Sequence, residues 1–249
     1  MGRIMSRLKS LVLRCLPKLI LDKIEPEGLM KFVKFASSKC ADNTIVLDAG
    51  AGEAHYKKSF THVRYIAMDW DKTGSHSAKL DIIGDLLAIP LKDRCIDAVF
   101  STFVLEHTPK PKQMLESLYR ILKPQGQLFI VVPLGIGLHM RPFDYFRFTS
   151  YGLEYLLSEA GFRVLSIEPL SGYFSFIAEN LKPCGRNATN KLSKPFLLFL
   201  FSIIVPYICF YLDKYIDRSG KYSTGYKTNT IGYAGYCYKP NGKKLLFDG

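Results

Sequence analysis

The chain has 249 residues, 48% of them hydrophobic and 22% charged, with an excess of 12 positive charges at neutral pH. That is enough apolar material for a full core, which excludes a disordered chain and a small stapled scaffold. The basic excess calls for an anionic partner, while six cysteines without C-x-x-C or other short pairing exclude a zinc or disulfide framework and fit a reducing cytoplasm.

Met1 to Ile24 interleaves Arg3, Arg7, Lys9, Arg14, Lys18 and Lys23 with Ile4, Leu8, Leu11, Val12, Leu16, Leu19 and Ile20, and Asp22 is its only acid. This is a basic amphipathic segment suited to an anionic surface, the alternative being an ordinary helix capping a sheet edge. Arg14 and Pro17 interrupt any signal-peptide core. Met1 to Ser6 matches the bare myristoylation pattern, which is a permissive one. Helical residues are expected from about Leu29 to Ser37. Residues 1–40 are assigned to this amino-terminal segment.

Ile45-Val-Leu-Asp-Ala-Gly-Ala-Gly52 then reads as a strand buried on both faces that ends in an acid and two glycines, a turn able to bring its backbone against a ligand. A tight turn with no ligand fits the two glycines equally well, so the downstream context decides. Tyr65-Ile-Ala-Met-Asp69-Trp70 is a second strand ending in a carboxylate, where a doubly wound sheet places an acid to bind ribose. Asp81 to Pro90 carries Asp85 near the end of a third strand, and Ile96 to Leu105 is a buried fourth strand running into Glu106 and His107. Met114, Leu115, Leu118, Ile121 and Leu122 lie at helical spacing over 111–122. Lys123-Pro-Gln-Gly126 stops that helix, and Gln127 to Val132 is a fifth strand. Leu153, Leu156, Leu157 and Ala160 share one face of a further helix that Gly161 ends, and Phe162 to Glu168 is strand six.

In this order the motifs resemble a class I S-adenosylmethionine-dependent methyltransferase of the small type 11 kind. They are Leu47-Asp48-Ala-Gly50-Ala-Gly52, Asp69, Gly84-Asp85-Leu-Leu-Ala-Ile-Pro90-Leu-Lys-Asp93, Ile96-Asp97-Ala-Val99, Leu105-Glu-His107 and Leu122-Lys-Pro-Gln-Gly126. Three positions depart from the family pattern: Ala54 stands for its third turn glycine, Ile96 for a phenylalanine, and Gln125 for a glycine. None removes a functional side chain. An NAD-dependent dehydrogenase is the physical alternative, disfavoured by the missing last glycine of G-x-G-x-x-G. The resemblance implies an α/β fold: a Rossmann-like seven-stranded sheet, mostly parallel, with helices on both faces and an antiparallel last strand between strands five and six. Thr230 to Tyr238 is assigned to that last strand. The methyltransferase core is then residues 41–170, joined by a final strand and tail over 230–249.

The resemblance also implies site residues and a cofactor, S-adenosyl-L-methionine. Asp48 with the Gly50 and Gly52 backbone would hold its methionine part, Asp69 its ribose with Trp70 packed on adenine, and Asp85 with Leu86 the adenine edge. For each aspartate the alternative is a helix cap or turn acid. A sulfonium methyl is already electrophilic, so the protein's task is alignment, plus a base where the acceptor must lose a proton. His107, His139 and Asp144 are the candidate catalytic groups. The segment after strand five is similar to the H-x-x-P-x-D-Y-x-R-x-T stretch of a subgroup associated with surface-polysaccharide and glycolipid assembly, matched by His139, Pro142, Asp144, Tyr145, Arg147 and Thr149. It is the expected substrate lid, with Arg141, Tyr145 and Arg147 as candidate substrate contacts. Here the alternative is structural: Asp144 and Arg147 pair to pin the loop, and Thr149 caps the next helix. No metal ligand set is assigned.

Residues 171–229 are an insertion between strands six and seven. Its run Pro195 to Leu212 contains no charge, with Pro206 near the middle. The length borders on a membrane span, but strand seven must return to the sheet, so both flanks lie on one side of any membrane. A membrane-seated hairpin and a helix pair packed on the domain or a second subunit are the two options, and Lys191, Lys194, Lys214, Arg218 and Lys221 favour the membrane. Ser219 to Thr230 is read as a polar lead-in to the last strand.

Three functions fit. The first is a membrane-associated methyltransferase on a polyprenyl-linked sugar, glycan or lipid, cytoplasmic and peripheral or monotopic at the membrane face. The second acts on a soluble small molecule or quinone, its insertion forming a pocket or dimer contact. The third is a non-catalytic scaffold, disfavoured by the intact acids and glycines. The partners expected are a small-molecule or lipid-linked glycan acceptor and an anionic membrane surface, with no nucleic acid and an oligomer left open.

Overall fold

The computed structural model describes residues 27–70, 79–186, 197, 200–219 and 229–242. The amino-terminal amphipathic segment, the polar stretch 220–228, and Pro195, Phe196, Leu198 and Phe199 of the apolar run lie outside the described residues.

Apolar strands of β-branched and aromatic residues build a seven-stranded sheet. In chain order the elements are helix α1 (Glu27–Lys39), strands β1 (Ile45–Ala49), β2 (Arg64–Asp69), β3 (Ile82–Ile83) and β4 (Ile96–Thr102), helix α2 (Pro111–Ile121), strand β5 (Leu122–Pro133), helix α3 (Ser150–Glu159), strand β6 (Arg163–Pro169), helices α4 (Tyr173–Arg186) and α5 (Val205–Ser219), and strand β7 (Gly232–Tyr238). The sheet order is β3-β2-β1-β4-β5-β7-β6. Strands β1 to β5 pair in parallel, and β7 runs antiparallel between β5 and β6, with Gln127 opposite Tyr238 and Pro133 opposite Gly232. The fold expected from the sequence, including the antiparallel last strand, is the fold observed.

The period-two alternation of the strands sorts side chains to two faces. Leu47, Ala49, Val99, Leu128, Ile130 and Val132 pack with Leu118, Leu153 and Leu157 of α2 and α3. Val46, Ala67, Phe100, Phe129 and Val131 pack with Leu29, Val33 and Ala36 of α1. At about 25 cal/mol per Å² of apolar surface removed from water, these two layers dominate the stability of the domain.

Several boundaries differ from the sequence reading, those of β3, β4, α2 and β5 among them. Strand β3 is only two residues long, and β4 ends at Thr102 rather than Leu105. Helix α2 ends at Ile121, and β5 starts at Leu122 rather than Gln127, because Lys123 to Gly126 bulge out of a strand that has already begun. Ile96 pairs with Leu122 and Ala98 with Gln127, which is the register shift such a bulge makes. Gln125 sits at φ 64°, so the backbone keeps the left-handed turn where the family has glycine. The Gln125 N–H donates to the Lys239 carbonyl at 2.8 Å, and the Lys239 N–H donates to that of Gly126 at 2.9 Å. Lys239 Nζ donates to the carbonyls of Tyr119 and Leu122, both at 2.8 Å, and so closes the carboxyl end of α2.

The insertion returns to where it left. The Ser171 N–H donates to Thr230 Oγ1 at 3.0 Å and the Ile231 N–H to Ser171 Oγ at 3.2 Å, which ties the two ends together at the sheet. Asp213 of α5 accepts the N–H groups of Phe174 and Ser175 at 3.0 and 2.7 Å and also the Ser175 hydroxyl, capping the start of α4 from across the pair. Among the described residues no helix is long and apolar enough to cross a membrane.

Candidate active site

Two groups of residues meet at the carboxyl end of the parallel strands, where ligands bind in open α/β sheets. The first follows β1 and β2. The N–H groups of Gly50 and Ala51 donate to the Met68 carbonyl at 2.8 and 3.0 Å, folding the turn back over β2. Gly50 lies at φ 85°, and a Cβ there would stand 2.3 Å from Val104, so any side chain would be both strained and blocked. A Cβ on Gly52 would meet nothing within 4 Å, so the turn faces open space on its outer side. Ala54, the substitute for the third glycine, keeps a left-handed backbone at φ 53° and starts a short 3-10 turn over His55–Ser59.

Asp69 joins the turn to the end of β2: one carboxylate oxygen accepts the Gly52 N–H at 2.7 Å and the other the Trp70 N–H at 2.6 Å. A carboxylate has about four lone-pair positions, so two remain for other donors. Trp70 is half exposed beside it. Asp85 stabilises the turn after β3 by accepting the Leu87 N–H at 2.8 Å, and Leu86 packs against the core. Asp48 is different, lying 1% exposed beneath the turn, where it accepts the Tyr65 hydroxyl. Burial pushes its carboxyl up to about 7, the Tyr65 hydrogen bond opposes that, and the charge of Asp69 adds to it.

The second group follows β4 and β5. Val104, packed on Gly50, leads into a 3-10 turn over Leu105–His107. The loop after β5 is closed at its base, the Phe148 N–H donating to the Pro133 carbonyl at 2.9 Å, and it folds over that turn. The Tyr145 N–H donates to the Glu106 carbonyl at 2.9 Å, and His107 Nδ1 lies 2.8 Å from the Phe143 carbonyl. His107 and His139 meet edge to face, with ring centroids 4.7 Å apart. His107 Nε2 and His139 Nε2 lie 3.8 and 3.7 Å from the same Glu106 oxygen.

Glu106 is fully buried, and neither of its carboxyl oxygens has a hydrogen-bond partner among the described residues. Burial pushes its carboxyl up to about 8, its own backbone N–H and then the Arg147 charge oppose that, and the Asp144 charge adds to it. Burial also lowers the His107 imidazole. Sequence reasoning does not single out Glu106, although a signal exists: an acid wedged between an apolar strand end and a histidine.

Arg147 is not available to a substrate. Its five N–H donors go to the carbonyls of Ile136, Gly137 and Phe146 and, bidentately, to both oxygens of Asp144 at 2.7 and 2.8 Å. Asp144 in turn accepts the His139 N–H at 2.9 Å and lies 3.5 Å from His139 Nδ1. The Arg147 pair holds its carboxyl well below the usual carboxylate range, so it stays ionised and orients His139 rather than taking a proton. The structural alternative therefore holds for both residues, and Thr149 does cap α3 by accepting the Gly152 N–H at 3.0 Å. Arg141 and Tyr145 are exposed on the same loop, facing solvent rather than the core.

Residues 47–130 match the family model described as a methyltransferase domain. That span contains the glycine turn, Asp69, Asp85, Glu106 and His107. Residues 47–130 are a methyltransferase domain. A protein of Mycolicibacterium smegmatis described as a probable S-adenosylmethionine-dependent methyltransferase is 31% identical over 51% of this chain and 54% of its own length. An uncharacterized methyltransferase of Mycobacterium leprae is 28% identical over 37% of this chain and 38% of its own. The chain thus spans about half or less of the length of these curated relatives. In fold, the methyltransferase core is similar to Burkholderia thailandensis 1,6-didemethyltoxoflavin-N1-methyltransferase, solved with S-adenosylhomocysteine bound. The TM-score is 0.55 at 13% identity, covering 95% of this chain and 90% of that one. The methyltransferase domain is of the S-adenosylmethionine-dependent class, and the open turn with its two carboxylates fits that cofactor.

Proposed function

We propose that the protein transfers a methyl group from S-adenosylmethionine to an oxygen of a membrane-borne acceptor, a polyprenyl-linked sugar, glycan or lipid. The observation that carries methyl transfer is the packing of Val104 on Gly50, which sets the Glu106–His107–His139 cluster directly beside the donor turn. When bound, the cofactor supplies an electrophilic methyl on sulfur. Asp69 and the Gly50 to Gly52 backbone hold its ribose and methionine parts, Trp70 and Leu86 flank its adenine, Asp85 reads the adenine edge, and Asp48 supports the turn from below. Held there, the cofactor would give its methyl to the acceptor oxygen with loss of the carbon–sulfur bond, and the Glu106–His107–His139 cluster would take up the hydroxyl proton. Asp144 and Arg147 keep His139 and the lid in place for that step.

The membrane part of the reading rests on α5. Tyr207, Tyr211 and Tyr215 repeat at four-residue spacing and are 61%, 52% and 74% exposed, with Ile208 and Leu212 beside them at 50% and 38%. A stripe of tyrosines and aliphatics suits the headgroup boundary of a bilayer, and the basic residues of the insertion suit anionic lipid. The ends of the insertion are tied together at the sheet, which supports a helix pair that rests on a membrane over one that passes through it. Radiolabelled methyl transfer from S-adenosylmethionine to fractionated membranes tests the reading: label is expected in the lipid extract, and label confined to water-soluble products overturns the acceptor class.

A further inference from the structure

We propose that Glu106, His107 and His139 form a binding site for one divalent first-row transition-metal ion. One ligand atom from each of the three lies within 4.8 Å of those of the other two. Ligand bonds near 2.0–2.1 Å place neighbouring ligand atoms roughly 3–3.5 Å apart, so binding an ion draws inward the 3.7 and 3.8 Å separations to Glu106 and the separation between the two histidines, which is at most 4.8 Å.

The other ring nitrogens already have the partners that such ligands need. His107 Nδ1 faces the Phe143 carbonyl at 2.8 Å, and a carbonyl only accepts, so the proton sits on Nδ1 and the lone pair on Nε2. His139 Nδ1 faces the Gly137 carbonyl at 3.2 Å and the Asp144 carboxylate at 3.5 Å, which fixes the same tautomer. Both lone pairs are therefore on the nitrogens nearest one carboxylate oxygen. A carbonyl or carboxylate on the remote nitrogen is the usual support of a metal-bound imidazole. Glu106 is the independent sign of a ligand: a fully buried carboxyl with neither oxygen hydrogen-bonded among the described residues. Buried carboxylates are paired, hydrogen-bonded or bound to metal.

Two imidazoles and one carboxylate, without a thiolate, select zinc, cobalt, iron(II) or manganese over calcium and magnesium. Three protein ligands leave coordination positions open. The His139 side chain is one-third exposed, so solvent reaches that side of the cluster. The use we assign to an open position, holding the acceptor oxygen in place of a free imidazole, rests on the methyl-transfer reading. Ion binding does not. Sequence spacing does not display the site, because the third ligand comes from a loop 32 residues beyond His107.

The test is a cobalt titration of the full chain after stripping with a chelator, followed by visible absorption, with S-adenosylmethionine binding measured in parallel. One cobalt per chain is expected, with d–d bands and no thiolate charge-transfer band. Glu106→Gln and His139→Asn should each weaken it by at least about tenfold, since losing even a supporting partner of a ligand costs 10–100-fold. Retained S-adenosylmethionine binding shows that each variant is folded. No cobalt uptake, a thiolate spectrum, or equal affinity in wild type and both variants overturns the site and leaves a protonated Glu106 that turns to bond a histidine. Loss of donor binding with cobalt intact would instead break the methyl-transfer reading and leave the metal site standing.

Discussion

The glycine turn and the histidine cluster, which we propose serve the methyl donor and the acceptor, are built by different means. The glycine turn is made of backbone: Gly50 admits no side chain, Met68 holds the turn and Asp69 clasps it. The acceptor side is made of side chains: two histidines, a buried glutamate and a salt bridge folded over them by one loop. A backbone site needs particular residues at short spacing, which sequence displays. A side-chain site assembled from the turn after β4 and a distant loop leaves no such spacing.

The largest expected effect strikes the donor side. Gly50→Ala combines a left-handed backbone with a collision against Val104, and should cost about 4 kcal/mol in chemical denaturation together with all donor binding. Adding Val104→Ala should restore part of the stability by removing the collision while leaving the backbone strain. An unaffected Gly50→Ala protein would mean that the turn is not the rigid half.

Glu106 gives the next largest effect, on the acceptor side. Its carboxyl is raised from an ordinary value near 4.5 to about 8, so the native state keeps a proton that the unfolded chain loses. Raising the pH through that window therefore favours unfolding. In metal-free protein, Glu106→Gln should gain on wild type from pH 4.5 to pH 8 by about 3 kcal/mol in paired urea titrations. Asp48, raised to about 7, acts in the same direction in both proteins and cancels from the difference. A constant difference across pH would show that Glu106 is already ionised and paired.

Arg147→Lys sharpens the comparison further. Lysine has three donors and no fork, so Asp144 and three carbonyls lose partners, at about 2 kcal/mol. Turnover should fall with donor affinity unchanged, because the lid and not the turn is disturbed. Coupled loss of both would mean that the two sides are one unit.

Legibility follows the same division. The parallel strands and helix α3 with its Thr149 cap can be read because periodicity and turn chemistry are local, while the antiparallel β7 between β5 and β6 is legible only through the family resemblance. Lys123 to Gly126 reads as a stop, since a Pro-Gln-Gly run says nothing of whether a strand has begun; Lys239, more than 100 residues away, decides it. Arg147 looks like a substrate contact because sequence counts charges and cannot show that all five donors are used. Glu106 becomes visible only when burial and the two histidines are seen together.

The central claim, that the glycine turn and Asp69 bind the methyl donor, is tested most directly by equilibrium dialysis with radiolabelled S-adenosylmethionine against wild type and Asp69→Ala. Saturable binding is expected, weakened about 10- to 100-fold in the variant, which is the range for a lost hydrogen bond to a charged group. No binding to folded wild type, or equal binding to both proteins, would contradict it.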